Sequence, residues 1–167
     1  MPQEVEPNYK KTSPNEYLLA ANELANKYEM TNLTVQKLAA WCYFESGDGI
    51  FNNNPGNVRG GDKFFYHPGA VDEYINGNHV VASDKKDPLR KFRAFDTLSD
   101  GIEAMLQWLV KNHTRALDVL RDDNKSALQF AQMLGKPDNR GMHYYTADPM
   151  VYARGVDARF RKITGIA

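Results

Sequence analysis

A two-residue Asn76-Gly77 step between short segments rich in β-branched and aromatic residues is the feature that most restricts the fold. Asn-Gly favours the positive φ angles of a type I′ turn, so residues 71–75 and 78–83 are predicted to pair as an antiparallel hairpin. A two-residue turn fixes the register of the two strands. Glu73 and Asp72 should then point to opposite sides of the ribbon, because side chains alternate along a strand.

Helix signals lie on both sides of this hairpin. Capping residues followed by apolar residues at helical spacing predict helices that begin at Ser13-Pro14, Thr34, Thr97, Ser126 and Asp148-Pro149. The second of these helices should end near Gly47, and a third strand is predicted over residues 91–95. The pattern indicates an α+β fold, mostly helical, in which a small antiparallel β-hairpin lobe lies against a helical lobe with a groove between them.

Composition restricts the class of protein. A chain of 167 residues that is 42% hydrophobic can bury one core, so we expect a flexible polar arm over residues 1–12 and a single domain over 13–167. Twenty-one basic and 21 acidic residues give no net charge, which argues against a nucleic-acid binder. The single Cys42 cannot form an internal disulfide and is expected in the core. We expect neither a membrane span nor a signal peptide.

Glu45 is the foremost candidate for chemistry. It follows an apolar helical segment, with Trp41 one turn before it and Phe44 beside it. Apolar surroundings and the negative end of a helix dipole both raise the pKa of a carboxyl group. A carboxyl that stays protonated near neutral pH can act as the general acid at a glycosidic oxygen. The alternative is a solvated glutamate at a helix end.

A loop dense in side-chain amides follows Glu45. Within residues 52–57, Asn53, Asn54 and Asn57 can either fix the loop or hydrogen-bond to sugar hydroxyl and N-acetyl groups. Arg59 could pair with a carboxylate such as the lactyl group of peptidoglycan, or be a surface residue. We treat all four residues as candidates for substrate binding.

The second catalytic carboxylate is harder to assign. Glu73 lies 28 residues after Glu45 and could act as base or nucleophile, or could simply face solvent. Asp72, Asp84 and Asp87 are lesser candidates.

Two adjacent tyrosines and four histidines carry further side chains that could bind a ligand or a metal ion. Tyr144 and Tyr145 could stack on sugar rings or pack the entry of the last helix. The histidines have no metal-ligand spacing, and the chain contains no P-loop or dinucleotide-binding fingerprint, so we expect no metal and no cofactor.

Four motifs follow one another in a recognisable order. These are Glu45-Ser46-Gly47, Asn-Asn-Pro-Gly-Asn-Val-Arg over residues 53–59, Phe-Arg-Ala-Phe-Asp-Thr over 92–97, and Tyr-Thr-Ala-Asp-Pro over 145–149. In these motifs, across residues 34–165, the chain resembles the lysozyme-like peptidoglycan hydrolases, particularly bacterial and phage members related to the glucosaminidase family. The resemblance implies that Glu45 is the general acid and that Tyr145 supports the active site. It also makes Phe95 a candidate for substrate binding. Family members place the second acidic residue further from the first than Glu73.

The resemblance implies a muramidase or N-acetylglucosaminidase that cleaves the β-1,4 glycan strand of peptidoglycan. The alternatives are a lytic transglycosylase, a non-catalytic peptidoglycan-binding or virion structural module, and an α+β domain unrelated to glycans. Such an enzyme would be made in the cytoplasm and act in the periplasm or cell wall, after delivery by a phage, a holin or a secretion system. Delivery machinery, a virion tail and an immunity protein are therefore candidate partners beside the glycan.

Overall fold

The computed structural model describes residues 1–166, which form a mixed α+β fold. Its helices are α1 (Pro14–Asn22), α2 (Asn32–Ser46), α3 (Leu98–Asn112), α4 (Thr114–Arg121), α5 (Ala127–Leu134) and α6 (Pro149–Thr164). Its strands are β1 (Gln3–Glu4), β2 (Tyr9–Lys11), β3 (Gly49–Phe51), β4 (Lys63–Tyr66), β5 (Asp72–Ile75), β6 (Asn78–Val81) and β7 (Lys91–Arg93). A 3₁₀ turn, Pro88–Arg90, precedes β7.

Helix α2 lies at the centre of the helical part and contacts the five other helices of the described chain. Every residue from 37 to 43 is buried, because neighbours enclose the helix on all sides rather than along one stripe. Cys42 is fully buried there, which confirms its predicted place in the core. Lys37 is also fully buried, and its ammonium group donates to three backbone carbonyls at the end of α4 and in the loop after it, those of Val119 (3.2 Å), Asp122 (2.9 Å) and Lys125 (3.0 Å).

Most predicted helix starts are confirmed by cap geometry. The side chains of Ser13, Thr97, Ser126 and Asp148 each accept a backbone N–H from the first turn of the helix that follows. The predicted cap at Thr34 is wrong. Thr31 caps α2 instead, and Thr34 is buried in the first turn, where its hydroxyl donates to the Leu120 carbonyl at 3.1 Å. Helix α4 was not predicted.

The β part consists of three small sheets. In the largest, β4 lies between β1, to which it is parallel, and β7, to which it is antiparallel. Strands β2 and β3 form an antiparallel pair. The segment 1–12, expected as a flexible arm, therefore carries two strands that pair with the body of the protein. Strands of two and three residues are too short to show an alternating pattern in the sequence.

The hairpin of β5 and β6 has the predicted turn and the predicted register. Glu73 pairs with Val80 and Asp72 pairs with Val81, across a turn in which Asn76 and Gly77 both have positive φ. The predicted third strand is shorter than expected, since β7 ends at Arg93. Within residues 1–166, no helix has the length and apolar character needed to cross a bilayer.

Candidate active site

Glu45 lies in the last turn of α2 and accepts a hydrogen bond from the hydroxyl of Tyr152 on α6. The Tyr152 oxygen in turn accepts the indole N–H of Trp41 at 3.1 Å. Helix α2 ends just after Glu45 because Gly47 has a φ of +72°, which residues with a Cβ rarely adopt. The donor chain Trp41–Tyr152–Glu45 thus fixes the carboxyl group between two helices.

Gly155 lets α6 come close enough to α2 for this hydrogen bond. A Cβ atom at Gly155 would lie 2.2 Å from the ring of Phe44, the residue before Glu45. The Phe44 ring also meets Tyr152 edge to face, with centroids 4.8 Å apart. In the sequence, Tyr152 belongs to the apolar stripe of the last helix, and it was missed as a site residue. The one sign of this role in the sequence is the hydroxyl group that Tyr152 brings into an apolar stripe. Its partner Glu45 lies 107 positions away, so no local pattern links the two.

The surroundings of Glu45 raise the pKa of its carboxyl group. The protein atoms packed around it displace the water that would solvate the carboxylate, and this is the largest effect. The hydrogen bond from Tyr152, together with the nearby donor groups of Tyr144 and Trp41, lowers the pKa and offsets only part of that rise. Glu45 nevertheless keeps accessible surface, so the group is crowded by protein on one side and open to solvent on another. Such a carboxyl favours the protonated form and can still be reached by a substrate.

The phenol groups beside Glu45 stay protonated. Burial is the main cause that raises the pKa of Tyr144, and the charge of Glu45 adds to it. Burial also raises the pKa of Tyr152, with smaller contributions from Tyr144 and Glu45. Both hydroxyls can therefore act as hydrogen-bond donors toward the carboxyl group.

Tyr144 and Tyr145 occupy different positions around this group. Tyr144 packs against Trp41 and Trp108, with ring centroids 5.6 and 5.1 Å apart. Tyr145 stacks on Tyr152, and its hydroxyl donates to the Ala131 carbonyl at 3.0 Å. Tyr145 therefore supports the ring of Tyr152, and it is the Tyr152 hydroxyl that contacts Glu45.

A cleft borders this aromatic group. A cavity of about 350 Å³ is lined by aromatic and apolar residues of α2, α3 and the α5–α6 loop and by residues 56–59. Glu45 does not line this cavity, but its neighbours Trp41 and Tyr144 do. Trp108 extends the aromatic wall. The cleft is thus walled by rings that suit the faces of sugars.

A second cavity, of about 420 Å³, shares the lining residues Asn57 and Arg59 with the first. It is lined further along by residues 70–73 of the hairpin, which include Glu73. The two cavities lie next to each other at these residues, and we call them together the groove. Asn57 is exposed in this groove, where its side chain can meet a ligand.

Asn53 and Asn54 use their amides to bind the backbone. Asn54 is buried and donates to the carbonyls of Val58 and Arg93, both at 2.8 Å, while its oxygen accepts the Val58 N–H. Asn53 donates to the carbonyls of Phe95 and Asp96, both at 3.1 Å. Neither side chain lines the groove. Of the three predicted amides, the structure brings only that of Asn57 to the groove.

Arg59 and Glu73 form an ion pair at the wall of the groove. The Arg59 guanidinium also lies 4.6 Å from the centroid of the Phe92 ring and donates to three carbonyls, those of Pro88, Leu89 and Lys91. Arg59 therefore ties the loop after Asn57 to the hairpin and to the entry of β7. The Glu73 carboxylate is therefore paired with the Arg59 guanidinium, whereas a free base or nucleophile would have no such partner.

Of the remaining candidates, Asp72 lines the second cavity, and Phe95, Asp84 and Asp87 lie outside both cavities. Phe95 is buried beneath the Arg93 guanidinium, whose carbon lies 4.6 Å from the ring centroid, and it borders a different cavity. Asp72 pairs with His79 at 2.8 Å, and Asp87 caps the 3₁₀ turn. Asp84 accepts the Lys86 N–H in an exposed loop. In the part of the chain that the structure describes, no group of three or more His, Cys, Asp or Glu residues could hold a metal ion.

Comparison of the chain with models of protein families, with curated proteins and with solved structures finds no match.

Proposed function

We propose that this protein is a lysozyme-like glycoside hydrolase that cleaves β-1,4 bonds between the N-acetylated sugars of peptidoglycan strands, with Glu45 as the general acid. The observation that carries the proposal is the Glu45 carboxyl itself. The protein atoms packed around it raise its pKa, Tyr152 holds it by a hydrogen bond, and its neighbours Trp41 and Tyr144 line an aromatic-walled groove. A proton donor beside a groove of this kind matches the first step of glycosidic cleavage.

The steps of cleavage follow from this arrangement. The glycan strand lies along the groove with one sugar face against the rings of Trp108 and Tyr144. Asn57, which lines the same cavity as these rings, hydrogen-bonds to a sugar substituent. Glu45 protonates the glycosidic oxygen as the bond to the anomeric carbon breaks. The oxygen of a water molecule then forms a bond to the anomeric carbon, and the proton that this water loses restores the Glu45 carboxyl group. Tyr152 continues to donate to the carboxylate that forms, which stabilises its charge.

A lytic transglycosylase is the second candidate, and the Arg59–Glu73 ion pair favours it. A transglycosylase needs one acid. After that acid has protonated the leaving oxygen, the sugar's own C6 hydroxyl attacks the anomeric carbon in place of water and gives its proton to the carboxylate. If the carboxylate of Glu73 remains bound to Arg59, the acid that is left is Glu45, whose neighbours Trp41 and Tyr144 line the aromatic end of the groove. The product separates the two reactions, since hydrolysis leaves a reducing sugar and transglycosylation leaves an anhydro sugar.

The proposed substrate implies where the protein acts. Peptidoglycan lies outside the cytoplasm, so we propose that the protein works in the periplasm or cell wall after delivery by a phage, a holin or a secretion system. A virion tail or an immunity protein would be a partner in that setting.

The test is mass analysis of the fragments released from purified peptidoglycan by the wild type, by Glu45→Gln and by Glu23→Gln. Glu23 is an exposed glutamate at the end of α1, so its variant is a control for the loss of any one carboxylate. We expect fragments from the wild type and from Glu23→Gln, and almost none from Glu45→Gln.

Fragment release by Glu45→Gln at the wild-type rate would overturn the role of Glu45. Sedimentation of the wild type with peptidoglycan, without any fragment release, would replace the proposal with a binding or virion structural module.

A further inference from the structure

We propose that Trp41 is a positioning residue for the general acid. Its indole N–H sets the direction in which the Tyr152 hydroxyl donates, and this keeps the acidic proton of Glu45 on the carboxyl oxygen that Tyr152 does not bind. The inference rests on the proposed function, because it directs that proton to the substrate. In this role Trp41 acts through Tyr152 and not on the sugar.

The direction of the donor chain follows from the chemistry of its three groups. An indole N–H can only donate, so the Tyr152 oxygen, 3.1 Å from Nε1 of Trp41, is the acceptor of that bond. The Tyr152 hydroxyl has a single proton and is hydrogen-bonded to Oε1 of Glu45. Because Trp41 already donates to the Tyr152 oxygen, Tyr152 contacts Glu45 as a donor.

Aromatic packing holds the first two members of the chain in place. Trp41 is 1% exposed, and its ring meets that of Phe130 edge to face at 5.7 Å between centroids. The ring of Tyr152 is buried and lies between those of Tyr145 and Phe44, with centroids 3.8 and 4.8 Å away. The indole and the phenol therefore keep their orientation, and bulk water does not replace either partner.

This arrangement determines which oxygen of Glu45 carries the proton. In a protonated carboxyl group one oxygen bears the proton, and the other, the carbonyl oxygen, is the better acceptor. Oε1 accepts from Tyr152, so the proton lies on Oε2. Without the indole N–H, the Tyr152 hydroxyl could turn and accept the proton of Glu45. That proton would then point into the protein and away from the glycosidic oxygen.

Glu45 is the group of this cluster that changes charge near neutral pH. The titratable side chains that interact with it are Cys42, Tyr144 and Tyr152, and burial raises the pKa of each of them. These three groups therefore stay neutral while the carboxyl titrates. A change in the titration of Glu45 on removal of the indole N–H thus reports a change in its hydrogen bonds.

The test removes the indole N–H and keeps the shape of the ring. The chain has two tryptophans, so 3-benzothienylalanine, in which sulphur replaces the N–H, is inserted at position 41 and, as the matched control, at position 108. The pKa of Glu45 is measured by NMR from its side-chain carboxyl carbon, whose signal is the one that Glu45→Gln lacks.

We expect the analogue at position 41 to raise the pKa of Glu45 by about 0.2–0.5 units. A Tyr152 hydroxyl that no longer accepts from Trp41 is a weaker donor, so it stabilises the carboxylate less. The analogue at position 108 should leave this pKa unchanged. In the Tyr152→Phe background the analogue at position 41 should have no further effect, because the hydroxyl through which Trp41 acts is absent.

Kinetics give a second measurement. The analogue at position 41 should lower kcat for peptidoglycan about 2- to 10-fold, the range for one neutral hydrogen bond, and leave KM unchanged. Trp41→Phe also removes the N–H but leaves a gap in the core, so the analogue, which fills the same space, is the decisive variant. Equal thermal melts of the two analogue proteins show that an effect comes from the N–H and not from unfolding.

The outcomes separate this inference from the proposed function. An unchanged Glu45 pKa with the analogue at position 41, or an equal shift with and without the Tyr152 hydroxyl, overturns the role of Trp41 whether or not peptidoglycan is cleaved. A raised pKa with an unchanged kcat overturns the placement of the proton. The expected pKa shifts in a protein that releases no fragments support the donor chain and overturn the catalytic proposal.

Discussion

Tyr145 and Tyr152 stack face to face, with ring centroids 3.8 Å apart and planes inclined by 11°. The Tyr145 hydroxyl donates to a carbonyl of α5, whereas the Tyr152 hydroxyl donates to Glu45. The two tyrosines thus have different roles: Tyr145 supports the ring of Tyr152, and Tyr152 contacts the Glu45 carboxyl group. The difference can be tested by removing each hydroxyl in turn.

Tyr152→Phe should move the basic limb of the pH profile of kcat/KM to higher pH. The Tyr152 hydrogen bond favours the charged form of Glu45 and lowers its pKa, so its loss raises the pKa further. A general acid works while it is protonated, and a higher pKa keeps it protonated to a higher pH. Tyr145→Phe should leave this limb in place. A basic limb that stays fixed or moves down in Tyr152→Phe would contradict the assignment.

Glu45→Gln should raise the melting temperature at alkaline pH. The pKa of Glu45 is higher in the folded state, so ionisation of this group costs folding stability once the pH exceeds the pKa of an unfolded glutamate, and the full cost is present above the folded pKa. Below about pH 4 the group is protonated in both states, so the wild type and the variant should melt alike there. Calorimetric scans across this range measure the difference. Glu23→Gln should show no such trend, and a Glu45→Gln melt below that of the wild type at about pH 8 would mean that burial does not raise the Glu45 pKa.

Glu73→Gln should cost far less activity than Glu45→Gln. The carboxylate of Glu73 is bound by the Arg59 guanidinium, so its removal disturbs the hairpin contact and not a proton donor. We expect a loss of about 10²- to 10⁴-fold for Glu45→Gln, as for removal of a general acid, and of less than about 10-fold for Glu73→Gln. The losses in Glu45→Gln and Glu73→Gln can be compared by the initial rates at which each variant clears a peptidoglycan suspension. Equal losses would make Glu73 the second catalytic carboxylate that the sequence suggested.

Asn54→Ala and Asn57→Ala should affect different properties. Loss of the buried Asn54 amide leaves the carbonyls of Val58 and Arg93 without their donor, which should lower the free energy of unfolding by about 1–3 kcal/mol. Asn57→Ala should leave that free energy nearly unchanged and weaken substrate binding, because Asn57 is exposed in the groove. Urea unfolding measures the free energy of unfolding of each variant, and KM values measure the change in substrate binding. A stable, weakly binding Asn54→Ala would reverse the two roles.

Local signals in the sequence predicted much of the secondary structure. Ser13, Thr97, Ser126 and Asp148 cap their helices as expected, because a cap needs only a backbone N–H two or three positions along the chain. Where packing competes with a local signal, the prediction failed. Thr34 resembles a cap, but its hydroxyl is used by the Leu120 carbonyl of α4.

Strand pairings between distant segments were not predictable in the same way. β1 pairs with β4 across about sixty positions, and neither strand is long enough to show alternation. The hairpin of β5 and β6 is the exception, since Asn76-Gly77 determines its turn and register locally.

The helix caps, the hairpin and the position of Glu45 at the end of an apolar helix can be inferred from sequence alone, because they depend on residues a few positions apart. The groups that surround the Glu45 carboxyl depend instead on how the elements pack. The close approach of α6 to α2 at Gly155 brings Tyr152 to Glu45, and the same folding turns Asn54 inward and binds Glu73 to Arg59. Side chains far apart in the chain become neighbours only when packing fixes the distance between the elements that carry them, and no local pattern records that distance.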